Sequence, residues 1–115
     1  LLSGPQAQRL PLTWVALLHG RLHGASLAAT GGVQTAEDAL KMLMVGADAV
    51  MMAAELLRRG PGHVAVLLEG MRRWMTEHEY SSAAQMKGSM SQGSGADPSA
   101  FERANYVKTL SGYHI

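Results

Sequence analysis

Cysteine is absent, which excludes a disulfide framework and a thiolate metal site within these 115 residues. A reducing compartment such as the cytoplasm is compatible with that absence and is the expected location. Charge of one sign is also lacking. The formal net charge is +1, so there is no basic field to steer nucleic acid or an anionic membrane, and neither is expected as a partner. Long apolar runs are missing too. The longest, residues 49–54, stops at Glu55, far short of the roughly 20 residues a membrane-spanning helix needs. The amino end lacks the charged-then-apolar order of a secretion signal. It begins at Leu1 and runs directly into the loop-like Ser3-Gly4-Pro5, a start expected of a segment cut from a longer chain.

What is present is ordinary core-forming sequence, 47% hydrophobic and 17% charged, which argues for a folded domain rather than a disordered one. At this length the chain can form one small domain, short for an enzyme with an internal cofactor site. Over residues 12–22, Leu12, Val15, Leu18 and Leu22 recur at helical spacing, with Trp14 and Leu17 beside them and Gly24 as the stop. Residues 26–29, small and bounded by Thr30-Gly31-Gly32, are too short for a helix and read as a buried strand.

Thr35-Ala36-Glu37-Asp38 is the clearest helix start, with a hydroxyl at the N-cap and an acid three residues on. Ala39, Leu40, Leu43 and Met44 form its apolar stripe, and Gly46 ends it. Residues 49–53 are apolar on both faces, as a covered parallel strand must be. After the breaker at residues 58–62, a helix is expected over 63–79. Val64, Leu67, Leu68, Met71, Trp74 and Met75 line one side of it, and Glu69 pairs with Arg73 on the surface. A short capped helix at 82–88, a flexible stretch at 89–95 and a last helix opening at Asp97-Pro98 complete the pass. In that last helix Phe101, Ala104, Val107 and Leu110 repeat at helical spacing.

Strands joined through helices imply a parallel sheet with right-handed crossovers. Two such strands leave open edges and a half-covered face, so the missing strands are expected from elsewhere in a larger barrel or sheet.

A strand, then Thr30-Gly31-Gly32, then a capped helix is the arrangement that presents backbone N–H groups to a phosphate, since glycine permits close main-chain approach. The next strand end, Met52-Ala53-Ala54, should lie alongside and add amides. Two glycines taken alone favour a plain connecting turn. The neighbouring sequence adds to them. Residues 29–39, then Gly46-Ala47-Asp48-Ala49-Val50, then Leu56 with Gly60-Pro61, Glu79-Tyr80 and Lys87-Gly88 together resemble the closing quarter of dihydroorotate dehydrogenases. Ser3-Gly4-Pro5 resembles the loop after strand six of that family. The likeness runs through most of residues 2–90 with its spacing kept.

The resemblance implies an α/β fold, the C-terminal fragment of a (β/α)8 TIM barrel over residues 1–90. It contributes the last two parallel strands with their helices, followed by a linker and helical tail over 91–115. It implies FMN as cofactor, with the phosphate near Gly31, Gly32, Thr30, Ala53 and Ala54, and a backbone contact from Gly4. The implied activity is oxidation of dihydroorotate or a similar dihydropyrimidine. The family's catalytic base belongs to a part of the barrel that these residues do not contain, so no catalytic residue is assigned. The expected partners are the remainder of the barrel, a small-molecule substrate and a second copy in a homodimer.

The sequence also departs from the family. Where the family usually carries glycine then threonine or serine, Ala53-Ala54 removes space and a hydroxyl donor. Glu55 replaces a small neutral residue and would repel a phosphate. Residues 101–113 look more like a dihydroorotate dehydrogenase-like branch than the pyrimidine-pathway enzymes.

Two other readings compete. One is a non-catalytic barrel remnant that binds or oligomerises. The other is a phosphate-binding synthase or isomerase barrel, which fits the glycine pair but not the tail. His19 and His23, four apart with Arg21 between them and no acidic partner near, read as surface histidines rather than metal ligands. His63 and His78 read as helix-end residues, Arg58-Arg59 as a solvated helix end and the eight methionines as packing. Ser89, Ser91 and Ser94 have no paired base and do not read as nucleophiles.

Overall fold

The computed structural model describes residues 2–90, which form one β-α-β unit extended by helices at both ends. A 3-10 turn, Pro5–Gln8, leads into α1 (Arg9–Leu18). Strand β1 (Ala28–Ala29) is followed by α2 (Ala36–Met44) and strand β2 (Ala49–Val50). Then come α3 (Ala54–Arg59), α4 (His63–Glu77) and α5 (Ala83–Met86). The strands pair in parallel, Ala28 with Ala49 and Ala29 with Val50. The result is a small α/β unit with the parallel topology expected of a barrel segment. Both strands are shorter than the apolar runs suggest. Main-chain bonds from Ala49 N to Leu27 O (3.2 Å) and from Met51 N to Ala29 O (2.8 Å) flank the ladder. At Ala53 the chain (φ −133°, ψ −52°) already turns into α3.

Helix α2 begins as its sequence dictates. Thr35 Oγ1 accepts from Asp38 N at 3.2 Å, and Asp38 Oδ2 accepts from Thr35 N at 3.1 Å and Gln34 N at 3.0 Å, a reciprocal capping box. Thr35→Ala should cost about 1 kcal/mol by leaving an orphan amide, read as a shift in the urea unfolding midpoint. Gly46 closes the helix at φ 120°, where a Cβ would also strike the His19 ring at 2.4 Å. Its amide and that of Ala47 satisfy the last-turn carbonyls of Leu43 and Met42, both at 3.0 Å.

Three elements differ from expectation. Helix α1 starts at Arg9 and ends at Leu18, not at residues 12 and 22. Pro11 sits in its first turn, where a missing N–H is tolerated, and His19 (ψ 128°) leaves the helical region so that its ring can reach Gly46 and Gly88. Leu22, out of the helix, is exposed. Helix α3 fills the stretch between the expected strand and the breaker, and carries Arg58 and Arg59 in its last turn. Its Ala-Glu-Leu-Leu-Arg-Arg sequence consists of strong helix formers. On α4, Glu69 lies 3.9 Å from Arg72, not Arg73, and both side chains are largely exposed, so the pair adds little.

The core has two connected parts. Val15, Ala29, Val33, Ala39, Met42 and Ala47 pack where α1 and α2 meet the strands. Leu40, Leu43 and Met86 are packed by Trp74, Met75 and Tyr80 where α2 meets α4 and α5. Of the α4 stripe only Leu67 is buried, and Val64 and Leu68 are exposed. Methionine as packing holds for Met42 and Met86, both fully buried, but not for the exposed Met51 and Met90. The expected helix after Asp97 and the serines at 91 and 94 lie outside the described residues.

Candidate functional site

The two strands end on the same side of the unit, and the segments that follow them form a small cleft of about 70 Å³. It is lined by Ser3, Thr30, Gly31, Gly32, Val33, Met51, Met52, Ala53 and Ala54. Roughly 10–15 Å³ of such space holds one water, so the cleft has room for a group of several heavy atoms, of phosphate size. Five of the six residues expected at the site therefore come together. The sixth, Gly4, stands just behind the wall.

The walls are made by local chemistry. Gly31 and Gly32 take φ values of 112° and 69°, which side-chain-bearing residues rarely adopt. Their freedom serves the chain itself first. A Cβ on Gly32 would lie 2.6 Å from the Gln8 amide nitrogen and 2.9 Å from the Gly4 carbonyl oxygen, and one on Gly31 would lie 3.2 Å from Pro11 Cγ. The turn is thus pressed against residues 4–11. Gln8, buried at 6% exposure, helps hold that contact, its side-chain amide donating to the Asp38 carbonyl at 2.7 Å. His63 Nε2 lies 3.0 Å from the Gln34 carbonyl, which can only accept, so Nε2 carries the hydrogen and α4 braces the loop after β1.

Among the described residues, the amides of Gly31, Gly32, Ala53 and Ala54 donate to no other main-chain carbonyl. Unpaired main-chain donors around a small cleft are what an anion needs, because each can be satisfied by an oxygen placed between them. Ala54 contributes no hydroxyl, so any such contact there comes from the backbone.

Glu55, directly after Ala54, is the charge that the sequence sets against an anion. Its side chain is buried at 4% exposure and held by Arg58 Nη1 at 3.2 Å and, more closely, by Arg59 Nε. The Arg59 contact, followed by Arg58, keeps its carboxyl below the ordinary glutamate range, so it stays ionised and paired. Two guanidinium groups against one carboxylate leave the cluster cationic, and the expected repulsion is answered from within α3. The arginines do form a helix end, but Arg58 also donates from Nη2 to the Ser3 carbonyl at 3.0 Å and is not simply solvated. The sequence signal for this cluster was available: an acid followed by arginines three and four residues on is a helical ion-pair pattern.

At the opposite end of the strands, Asp48 accepts from Leu27 N at 2.8 Å and is bonded to Lys87, which holds its carboxyl below the ordinary aspartate range. This joins the start of both strands to the segment after α5. Among the described residues no group of three potential metal ligands exists. His19 is partly buried against Gly46 and Gly88 rather than on the surface, while His23 is exposed. His78 caps α4, with its ring stacked on Trp74 at 3.9 Å.

The profile of one protein family, dihydroorotate dehydrogenase, matches residues 2–75, more than half of the chain and all the walls of the cleft. The chain belongs to that family. Two curated relatives agree with the match. The chloroplastic dihydropyrimidine dehydrogenase (NADP(+)) of Arabidopsis thaliana is 30% identical over 63 residues, 55% of this chain and 15% of the relative. A putative dihydroorotate dehydrogenase A (fumarate) of Aeropyrum pernix is 30% identical over 87 residues, 76% of this chain and 28% of the relative. The chain thus spans less than a third of the length of either dehydrogenase. No helix among the described residues is long and apolar enough to cross a membrane.

Proposed function

We propose that this member of the dihydroorotate dehydrogenase family supplies the cofactor-phosphate end of an FMN-dependent oxidoreductase acting on dihydroorotate or a similar dihydropyrimidine. The observation that carries this reading is the cleft at the strand ends, lined by residues of two consecutive β-to-helix connections whose amides donate to no main-chain carbonyl. These residues fit a phosphate: the cleft has its size, the glycine turn and the strand end offer main-chain donors, and Arg58 and Arg59 leave the neighbourhood cationic. FMN, when bound, supplies the hydride-accepting chemistry. The residues of this chain bind and orient its phosphate, and the catalytic base belongs to another part of the barrel.

The cleft is too small for a flavin ring, so the rest of the site comes from the remainder of the barrel. The free side of β2 supports this. It opens on an apolar groove of about 530 Å³ lined by Val50, Met52, Leu56, Val64, Leu67 and Leu68, among others. In our reading a further strand pairs with β2 there and lies under α4, which makes residues 1–90 the barrel part and residues 91–115 an appended tail.

A second reading, a barrel remnant that binds without catalysis, draws on Ala53 and Ala54, which stand where the family's small glycine and hydroxyl residue are expected. The experiment that separates the two is a fluorescence titration of FMN into the intact protein, with the remainder of its barrel, and into its Ala53→Gly/Ala54→Thr variant. The flavin reading expects binding by the parent and a gain of about tenfold to a hundredfold in the variant, the worth of one added hydrogen bond to a charged group. Absence of binding in both would favour the remnant.

A further inference from the structure

We propose that Arg58 is a positioning residue for the cleft. Anchored by the buried Glu55 carboxylate, it holds the Ser3 carbonyl and so fixes the Ser3–Gly4 wall against the glycine turn. The inference rests on reading the cleft as a phosphate site. It also gives Glu55, an acid in an anion-binding neighbourhood, a task that the proposed function leaves open.

The cleft has three walls from three distant parts of the sequence. The turn at residues 30–33 and the strand end at 51–54 are joined by the β ladder and by Met51 N bonding to Ala29 O at 2.8 Å. Ser3, the third wall, belongs to neither strand. It is held by packing of Gly4 against Gly32 and by the hydrogen bond from Arg58 Nη2, which spans 55 positions in sequence. A guanidinium suits this task because its planar fork serves two acceptors at fixed angles, here Glu55 Oε2 through Nη1 and Ser3 O through Nη2. A lysine ammonium, a point charge on a flexible stem, does not reproduce both bonds in one geometry. Arg59, on the other side of the same carboxylate, keeps Glu55 buried and ionised. The 3-10 turn that follows Gly4, closed by Ala7 N to Gly4 O at 3.0 Å, is fixed by the same anchor.

The test uses the intact protein, with the remainder of its barrel, carrying Arg58→Ala, Arg58→Lys or Glu55→Gln, each titrated with FMN and with riboflavin, which lacks the phosphate. Hydrogen exchange at the Ala7 amide is followed without ligand. The Arg58 side chain is partly exposed, so its variants should fold, and Glu55→Gln keeps the shape of the buried side chain. The proposal expects FMN affinity to fall about tenfold in Arg58→Ala, with riboflavin affinity unchanged and Ala7 exchange faster. Arg58→Lys should recover only part of the loss. Glu55→Gln should weaken FMN in the same direction, and Glu55→Gln with Arg58→Ala should be no worse than Arg58→Ala alone, because the two act through one contact. Equal loss of FMN and riboflavin, or tighter FMN binding by Glu55→Gln, would overturn the proposal. If the parent binds no FMN, the phosphate reading falls. The exchange rate then decides the clamp by itself, and unchanged Ala7 protection overturns it.

Discussion

Gly32→Val should unfold the amino-terminal side of the chain rather than simply close a ligand cleft. The first added methyl would sit 2.6 Å from the Gln8 amide nitrogen and 2.9 Å from the Gly4 carbonyl, both main-chain atoms that cannot swing aside. The backbone there, at φ 69°, is also strained for any branched residue. Strain and overpacking together should cost roughly 2–5 kcal/mol, a large share of the stability of a small domain. Because Cβ itself makes the clash, Gly32→Ala should cost most of the same amount. The check is urea unfolding of both variants beside the parent, with hydrogen exchange at residues 4–8. Parental midpoints with loss of flavin alone would mean that the glycine is reserved for the phosphate and that the contact with residues 4–8 is dispensable.

Leu40→Ala is expected to be the other severe change. Leu40 is 1% exposed at the junction of α2 with α4 and α5, against Leu43 and Met86, with Trp74, Met75 and Tyr80 closing over the cluster. Truncation there leaves a cavity that three helices would have to collapse to fill, at a cost of about 2–5 kcal/mol. The control is Leu57→Ala on α3, where the side chain is 74% exposed and the change should stay within about 0.5 kcal/mol. Equal unfolding midpoints for the two variants would contradict the assignment of the core.

How much of this was legible in the sequence depends on the range of the forces involved. The Thr35 cap, the Gly46 terminus and the Ser82-capped α5 are set by bonds within a few residues, and the structure forms them where the sequence puts them. The end of α1 is not local. Leu22 continues the helical period, but the chain leaves the helix at His19 to seat that ring against Gly46 and Gly88, which are distant in sequence. Helix α3 was masked by the apolar run before it, which reads as strand until the Glu55, Arg58 and Arg59 spacing is noticed.

The candidate site shows the same division. Its residues could be named from the glycine turn and the next strand end, since both follow from the β-α-β order. That the Gly32 hydrogen faces the main chain of residues 4–8 could not be read, because it depends on a contact between segments far apart. The neutralisation of Glu55 was legible from its spacing to Arg58 and Arg59, three and four residues on, whereas the bond from Arg58 to the Ser3 carbonyl, 55 positions away, was not.

The central claim is that main-chain amides from the two β-to-helix connections receive the FMN phosphate. The most direct measurement is amide nitrogen–proton NMR of the intact protein titrated with FMN and, separately, with riboflavin. The account predicts that FMN shifts the amides of Gly31, Gly32, Ala53 and Ala54 strongly and that riboflavin leaves those four almost unmoved. Equal shifts with both ligands, or FMN shifts confined to the apolar groove beside β2, would contradict it.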